Sequence, residues 1–146
     1  MEGTTREQAW RSMLQLFFTQ RGRFVAAAQE FGLAPQQAIA LRHLEPGRAL
    51  KMSELAQSLH CDNSNVTGIA DRLEAAGLVE RRAHPGDRRV KTLVLTERGA
   101  EVRAAHEARL AIVPPQIDAL SDADAEALLA IMRRVTAPVG EPAPTP

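Results

Sequence analysis

The sequence predicts a mainly α-helical fold with a small β-hairpin wing: a winged helix-turn-helix flanked by N- and C-terminal helices. Three observations carry this. Apolar side chains between residues 10 and 31 recur at alternating spacings of four and three, which is one stripe of a long amphipathic helix. Residues 53–76 read as two short helices joined by a tight turn. Immediately downstream, two runs rich in branched apolar residues flank a polar turn, and Asp87-Arg88-Arg89 puts exposed positive charge at the hairpin tip.

The elements follow in order. Trp10, Leu14, Phe17, Arg21, Phe24, Ala28 and Phe31 make the stripe of the first helix, and Gly32 ends it. Pro35 opens a second helix at a first-turn position, Ala38, Leu41 and Leu44 form its apolar face, and Pro46-Gly47 stops it. Residues 49–52 form a short extended segment, after which Ser53 caps a third helix carrying Leu55, Ala56 and Leu59. Asp62 caps the fourth helix by meeting its free amides, with Val66, Ile69, Ala70 and Leu73 facing inward and Gly77 as the stop. Residues 78–82 and 90–95 read as an antiparallel hairpin with a longer loop over His84-Pro85-Gly86-Asp87. Thr96 caps a fifth helix running to Val113, where Pro114-Pro115 breaks it because each proline removes an amide donor. Ser121-Asp122-Ala123-Asp124 has capping-box spacing ahead of a sixth helix carrying Leu128, Ile131, Met132 and Val135. Residues 138–146 have too little apolar content to pack and read as a disordered tail.

A chain of 146 residues is long enough for one domain with a real core, here residues 1–137. The lone Cys61 excludes an intramolecular disulfide framework, and Arg6, Trp10 and Arg11 interrupt the apolar run a secretory signal needs. No stretch approaches the roughly 20 consecutive apolar residues of a membrane span. A soluble, cytoplasmic protein is expected. Formal charge is zero, with 18 basic and 18 acidic residues, but residues 42–103 carry +2 and residues 104–146 carry −3. Arg81, Arg82, Arg88, Arg89 and Lys91 cluster within that middle segment.

A helix in the major groove presents its first two turns to base edges, and from an Asp62 cap those positions are Asn63, Ser64, Asn65, Thr67, Gly68 and Asp71. Asn65 has the amide to read adenine, Thr67 suits a thymine methyl or a phosphate, and Arg72 reaches the backbone one turn on. The plainer alternative is a solvated helix face. Arg88 and Arg89 suit a narrow minor groove with Asp87 as orienting partner, against a loop whose arginines only protect a sheet edge. Arg81, Arg82 and Lys91 fit phosphate contacts or solvated strand positions. Cys61 reads as a buried structural thiol. His60-Cys61-Asp62 are sequence neighbours that do not converge as a catalytic set, and His43, His60, His84 and His106 lack metal-ligand spacing, so neither an enzyme nor a metal or cofactor is expected. Arg21 breaks an apolar stripe and needs an acidic partner or an anionic ligand.

Residues 55–59, 62–73, 74–81 and 87–99 together resemble the MarR (multiple antibiotic resistance regulator) family. The most specific piece is Asp-x-Arg followed by Leu-Thr and then Gly, met here by Asp87, Arg89, Leu95, Thr96 and Gly99. The resemblance implies a homodimeric winged-helix repressor on double-stranded DNA with a palindromic operator. Its winged helix-turn-helix would span about residues 36–96, and its dimerisation helices about 5–32 and 97–136. Arg89 would enter the minor groove, Asp87 would hold it, and residues 63–72 would form the recognition helix. Two positions depart from the pattern: His60 stands where many members have glycine, and Gly68 where a long basic side chain often contacts DNA. Gly68 costs the helix roughly 1 kcal/mol relative to alanine. The resemblance also implies a small-molecule effector, aromatic or anionic, with Phe17, Arg21 and His43 as candidates to line its cleft. The rival reading is a winged-helix module that binds a protein partner without specific DNA binding.

Overall fold

The computed structural model describes residues 3–138, which form seven helices and three strands. The chain divides into two compact units, Met1–Ala111 and Ile112–Pro146.

The first unit opens with α1, Thr5–Gln29. The Glu7 amide donates to Thr4 Oγ1 at 3.3 Å while the Thr4 amide donates to Glu7 Oε2 at 2.7 Å, so two orphan amides are satisfied reciprocally. Only the C-terminal end of α1 is buried, through Ala27 and Ala28, and most of its apolar stripe is open within one chain. Helix α2, Pro35–His43, begins where Gln37 Oε1 accepts the Ala34 amide, and it buries Ala38, Ala40 and Leu41.

Strand β1 is short, Leu50–Lys51, and α3 follows directly as Met52–Leu59. Ser53 is not its cap. Pairing with a neighbouring strand ends the extended segment at Lys51, and Glu54 reaches back to accept the Lys51 amide at 2.9 Å, so the cap falls at Lys51 and the helix starts two residues earlier than a Ser53 cap would give. His60 closes α3 in the left-handed region, φ 50 and ψ 42. Cys61 is half-buried against the core. Helix α4, Asn63–Ala75, is capped by Asp62 and buries Val66, Ile69, Ala70 and Leu73, as their spacing requires.

The wing consists of β2, Val79–His84, and β3, Asp87–Leu95. Its connection is tighter than the longer loop expected: Pro85-Gly86 alone link the strands, with His84 opposite Asp87 and a bulge at Ala83/His84. The Gly86 amide donates to His84 Nδ1 at 3.0 Å and steadies the turn without a longer loop. The sheet order is β1-β3-β2, all antiparallel. Helix α5, Glu97–Leu110, starts at Thr96, whose Oγ1 accepts the Gly99 amide at 2.9 Å and whose hydroxyl donates to the Gly77 carbonyl at 2.6 Å. A β-carbon on Gly99 would overlap the Leu78 carbonyl oxygen. The end of β3, the stop of α4 and the start of α5 therefore close on one another. Helix α5 ends three residues before Val113.

Leu41, Leu44, Leu55, Leu73 and Leu93 are the largest fully buried side chains, each contributing about 1.5–3 kcal/mol of burial, and they join α2, α3, α4 and the sheet in one core. That core sets the helix-turn-helix and wing as a unit.

In the second unit, a four-residue helix, α6, Pro115–Asp118, lies between the proline break and the final helix, where the sequence indicated none. Helix α7, Asp122–Thr136, starts at Ser121, whose Oγ accepts the Asp124 amide at 3.2 Å. Only half of the expected capping box forms, because the Asp124 carboxylate takes the Ser121 hydroxyl instead of its amide. Helix α7 buries none of its side chains, and Leu129, Ile131 and Val135 are at least half exposed. The expected tail lies outside the described residues from position 139 onward.

Candidate nucleic-acid interface

Helix α4 has one apolar side in the core and a small, polar side in solvent. Asp62 Oδ1 accepts the Asn65 amide and the Ser64 hydroxyl, each at 2.8 Å. The Asn65 amide first, and the Ser64 hydroxyl next, hold the Asp62 carboxyl below its ordinary value. Asn63, Ser64, Asn65, Thr67 and Arg72 are exposed, and the Thr67 hydroxyl donates to the Asn63 carbonyl at 2.9 Å. Among the described residues nothing lies within 4 Å of where a Gly68 β-carbon would stand, so no contact among them requires glycine there.

The wing arginines divide into two kinds. Arg88 and Arg89 are exposed, and among the described residues neither guanidinium has a hydrogen bond or ion pair. Asp87 Oδ1 accepts the Arg89 backbone amide at 2.9 Å, so it braces the main chain that carries Arg89. Arg81 is different. Its guanidinium meets Asp71 Oδ1 at 2.6 Å and Glu74 Oε1 at 3.1 Å, and donates to the Thr67 carbonyl at 3.3 Å. The pairing with Asp71 raises its already high pKa further. Arg81 is thus neither a free phosphate contact nor a solvated strand residue. Sequence reasoning missed the clamp, although Asp71 and Glu74 sit one turn apart on α4 shortly before a basic residue. Arg82 pairs with Glu80 at 2.8 Å, and Lys91 is exposed.

A second feature is a cavity of about 490 Å³ lined by Phe17, Phe18, Arg21, Phe24 and Val25 of α1, Pro35, Ala38, Ile39 and Arg42 of α2, and His106 and Leu110 of α5. Two of the expected cleft residues, Phe17 and Arg21, line it, whereas His43 is exposed and is not among the lining residues. The Phe17 ring stacks edge-on to Phe18 with centroids 5.7 Å apart. Arg21 is exposed without a partner among the described residues. Arg42 and His106 were missed because neither position breaks a readable pattern. His106 is buried at 3 % exposure, its ring edge-on to Phe31, and burial first and the Arg42 charge second push its pKa down. Among the described residues its Nδ1 and the Nε of Arg103 have no hydrogen-bond partner, while Arg103 pairs with Glu107 at 3.1 Å. Among the described residues no three His, Cys, Asp or Glu side chains group as a metal site, and no helix is long and apolar enough to cross a membrane.

Residues 33–91 match the model of the MarR family. The HTH-type transcriptional repressor MdtR of Bacillus subtilis is 35% identical over 88 residues, 60% of this chain and 57% of MdtR. The chain therefore spans little more than half the length of that curated relative. AbsC, a MarR family transcriptional regulator from Streptomyces coelicolor, superposes with a TM-score of 0.70 at 28% identity, covering 95% of each chain. CouR from Rhodococcus jostii RHA1, solved bound to p-coumaroyl-CoA, shares the fold with a TM-score of 0.69 at 21% identity, over 94% of this chain and 97% of CouR.

Proposed function

The chain belongs to the MarR family, and on that premise we propose that it is a sequence-specific DNA-binding transcriptional regulator. In this reading it is a homodimeric repressor released by a small-molecule ligand. The observation that carries the proposal is the pairing of a polar, side-chain-lean α4 face with a wing whose Arg88 and Arg89 are exposed and uncommitted.

The N-terminal turns of α4 enter the major groove with Asn63, Ser64, Asn65 and Thr67, Gly68 permits close approach, and Arg72 meets the phosphate backbone. Arg89 enters the adjacent minor groove, where narrow A/T stretches concentrate negative potential, and Asp87 fixes the main chain beneath it. Arg88 contacts phosphate. Two copies present two such lobes about one DNA turn apart on a palindromic operator.

The effector site is the cavity among α1, α2 and α5. Its aromatic wall suits an apolar body, and Arg21 and Arg42 suit an anionic group, in line with the acyl-CoA held by CouR. Helix α2 packs against both α4 and α5, so a ligand that displaces α2 reaches the recognition helix. A preference of about 1.4 kcal/mol for the incompetent dimer shifts the equilibrium tenfold.

The test is to sequence the duplex retained from the source genome and titrate that site by fluorescence anisotropy. Arg89→Ala should weaken binding by roughly 1–3 kcal/mol and leave sedimentation unchanged. Equal affinity in the variant would remove the wing from the mechanism, and absence of any duplex binding at low salt would leave the protein-binding module in its place.

A further inference from the structure

We propose that Arg81 is a positioning residue for DNA recognition, one that locks α4 and the wing at a fixed angle and touches no DNA itself; this rests on the regulator reading above. Arg81 stands on β2 opposite Leu93 of β3, yet the hydrogen bonds and ion pairs of its side chain are all with α4. The guanidinium reaches Asp71, Glu74 and the Thr67 carbonyl, and the Arg81 amide donates to Glu74 Oε2 at 3.0 Å. Residues 67, 71 and 74 are spaced four and three apart, so one planar fork grips a single side of the helix over two turns.

Two physical consequences follow. A groove reader and a minor-groove finger are on different elements, and both engage one duplex only if the angle between them is set beforehand. The ordinary links between α4 and β2 are the short segment through Gly77 and the core beneath, and Arg81 adds a tie on the solvent side. The clamp also neutralises Asp71, a carboxylate on the outward face of α4 that would otherwise oppose phosphates. The Arg81 side chain is the sheltered side of this set, 24% exposed against 60% for Asp71 and 44% for Glu74, so its worth lies in the geometry it fixes more than in the strength of the ion pairs.

The alternative is that Arg81 swings out to a phosphate when DNA arrives. The two roles separate in a comparison of operator and random duplex across a salt series, with Arg81→Lys and Arg81→Gln beside the wild type. Positioning predicts that both variants lose roughly ten- to a hundredfold in operator affinity, as for one misaligned base contact, with random-duplex affinity and the salt slope unchanged. A phosphate contact predicts that Arg81→Gln weakens both duplexes alike and lowers the salt slope by about one, while Arg81→Lys binds nearly as wild type. That pattern, or unchanged operator affinity in both variants, overturns the proposal. Amide exchange of α4 without DNA supplies a second measurement: residues 67–75 should exchange faster in Arg81→Lys at an unchanged global melting temperature, and unchanged exchange would count against the clamp. Failure of the wild type to bind any duplex would instead remove the regulator reading.

Discussion

The backbone at His60 shows most directly what one side chain costs. It is the non-glycine residue with positive φ among the described residues, and a β-carbon in that region costs roughly 1–2 kcal/mol. Its amide donates to Gln57 and the Cys61 amide to Ala56, so the turn itself is fully bonded and only the side chain is misplaced. His60→Gly should therefore raise stability by about 1 kcal/mol, seen as a melting temperature higher by roughly 3 °C. A lower melting temperature would mean that the imidazole makes up for its strain. The departure from glycine at this position was legible from family resemblance; the left-handed backbone that explains it was not. Gly99 is similar. It belongs to the most specific motif of the chain, but its reason is the Leu78 carbonyl pressed against it, a contact between residues 21 positions apart that no local pattern announces.

Among elements, α4 and the wing carry the proposed function, and they were legible to different degrees. The caps Asp62 and Thr96 and the inward set Val66, Ile69, Ala70 and Leu73 follow from local spacing, and the structure has them all. The wing turn was read too long because His84 and Asp87 are polar. Strand pairing depends on backbone groups, and these two residues pair across a Pro85-Gly86 connection regardless of polarity. The α4–wing clamp was invisible for another reason: Arg81 meets Asp71 and Glu74 only after α4 reverses into β2. The effect of Gly68 runs through the whole helix. Because the place of an added β-carbon is open among the described residues, Gly68→Ala should stabilise α4 by about 1 kcal/mol in urea denaturation. If close approach to DNA is what the glycine serves, the same variant should bind its operator more weakly while melting higher. Undiminished operator affinity would show that α4 does not need the notch.

For the whole molecule, the distribution of apolar surface separates what one chain buries from what it leaves open. The core joining α2, α3, α4 and the sheet is complete within one chain, which is why periodicity located most of it. The stripe of α1 was equally legible as a pattern, but Trp10 and Phe17 are each 58% exposed. Helix α7, taken by itself, likewise leaves Ile131 53% and Val135 58% exposed. Periodicity reports that a face is apolar without saying whether this chain or another covers it. Burying a side chain of this size is worth about 1.5–3 kcal/mol, so several on each helix supply ample drive for self-association. The protein should sediment as a dimer of its 15.9 kDa chain at micromolar concentration. Trp10→Asp and Val135→Asp, made separately because each tests one helix, should shift it toward monomer while the helix-turn-helix core keeps its cooperative melt. Such a monomer retains one recognition helix and one wing, so it should hold a half-site with roughly half the salt dependence of the dimer on its full operator. A wild-type monomer, or variants that stay dimeric, would place the subunit contact elsewhere.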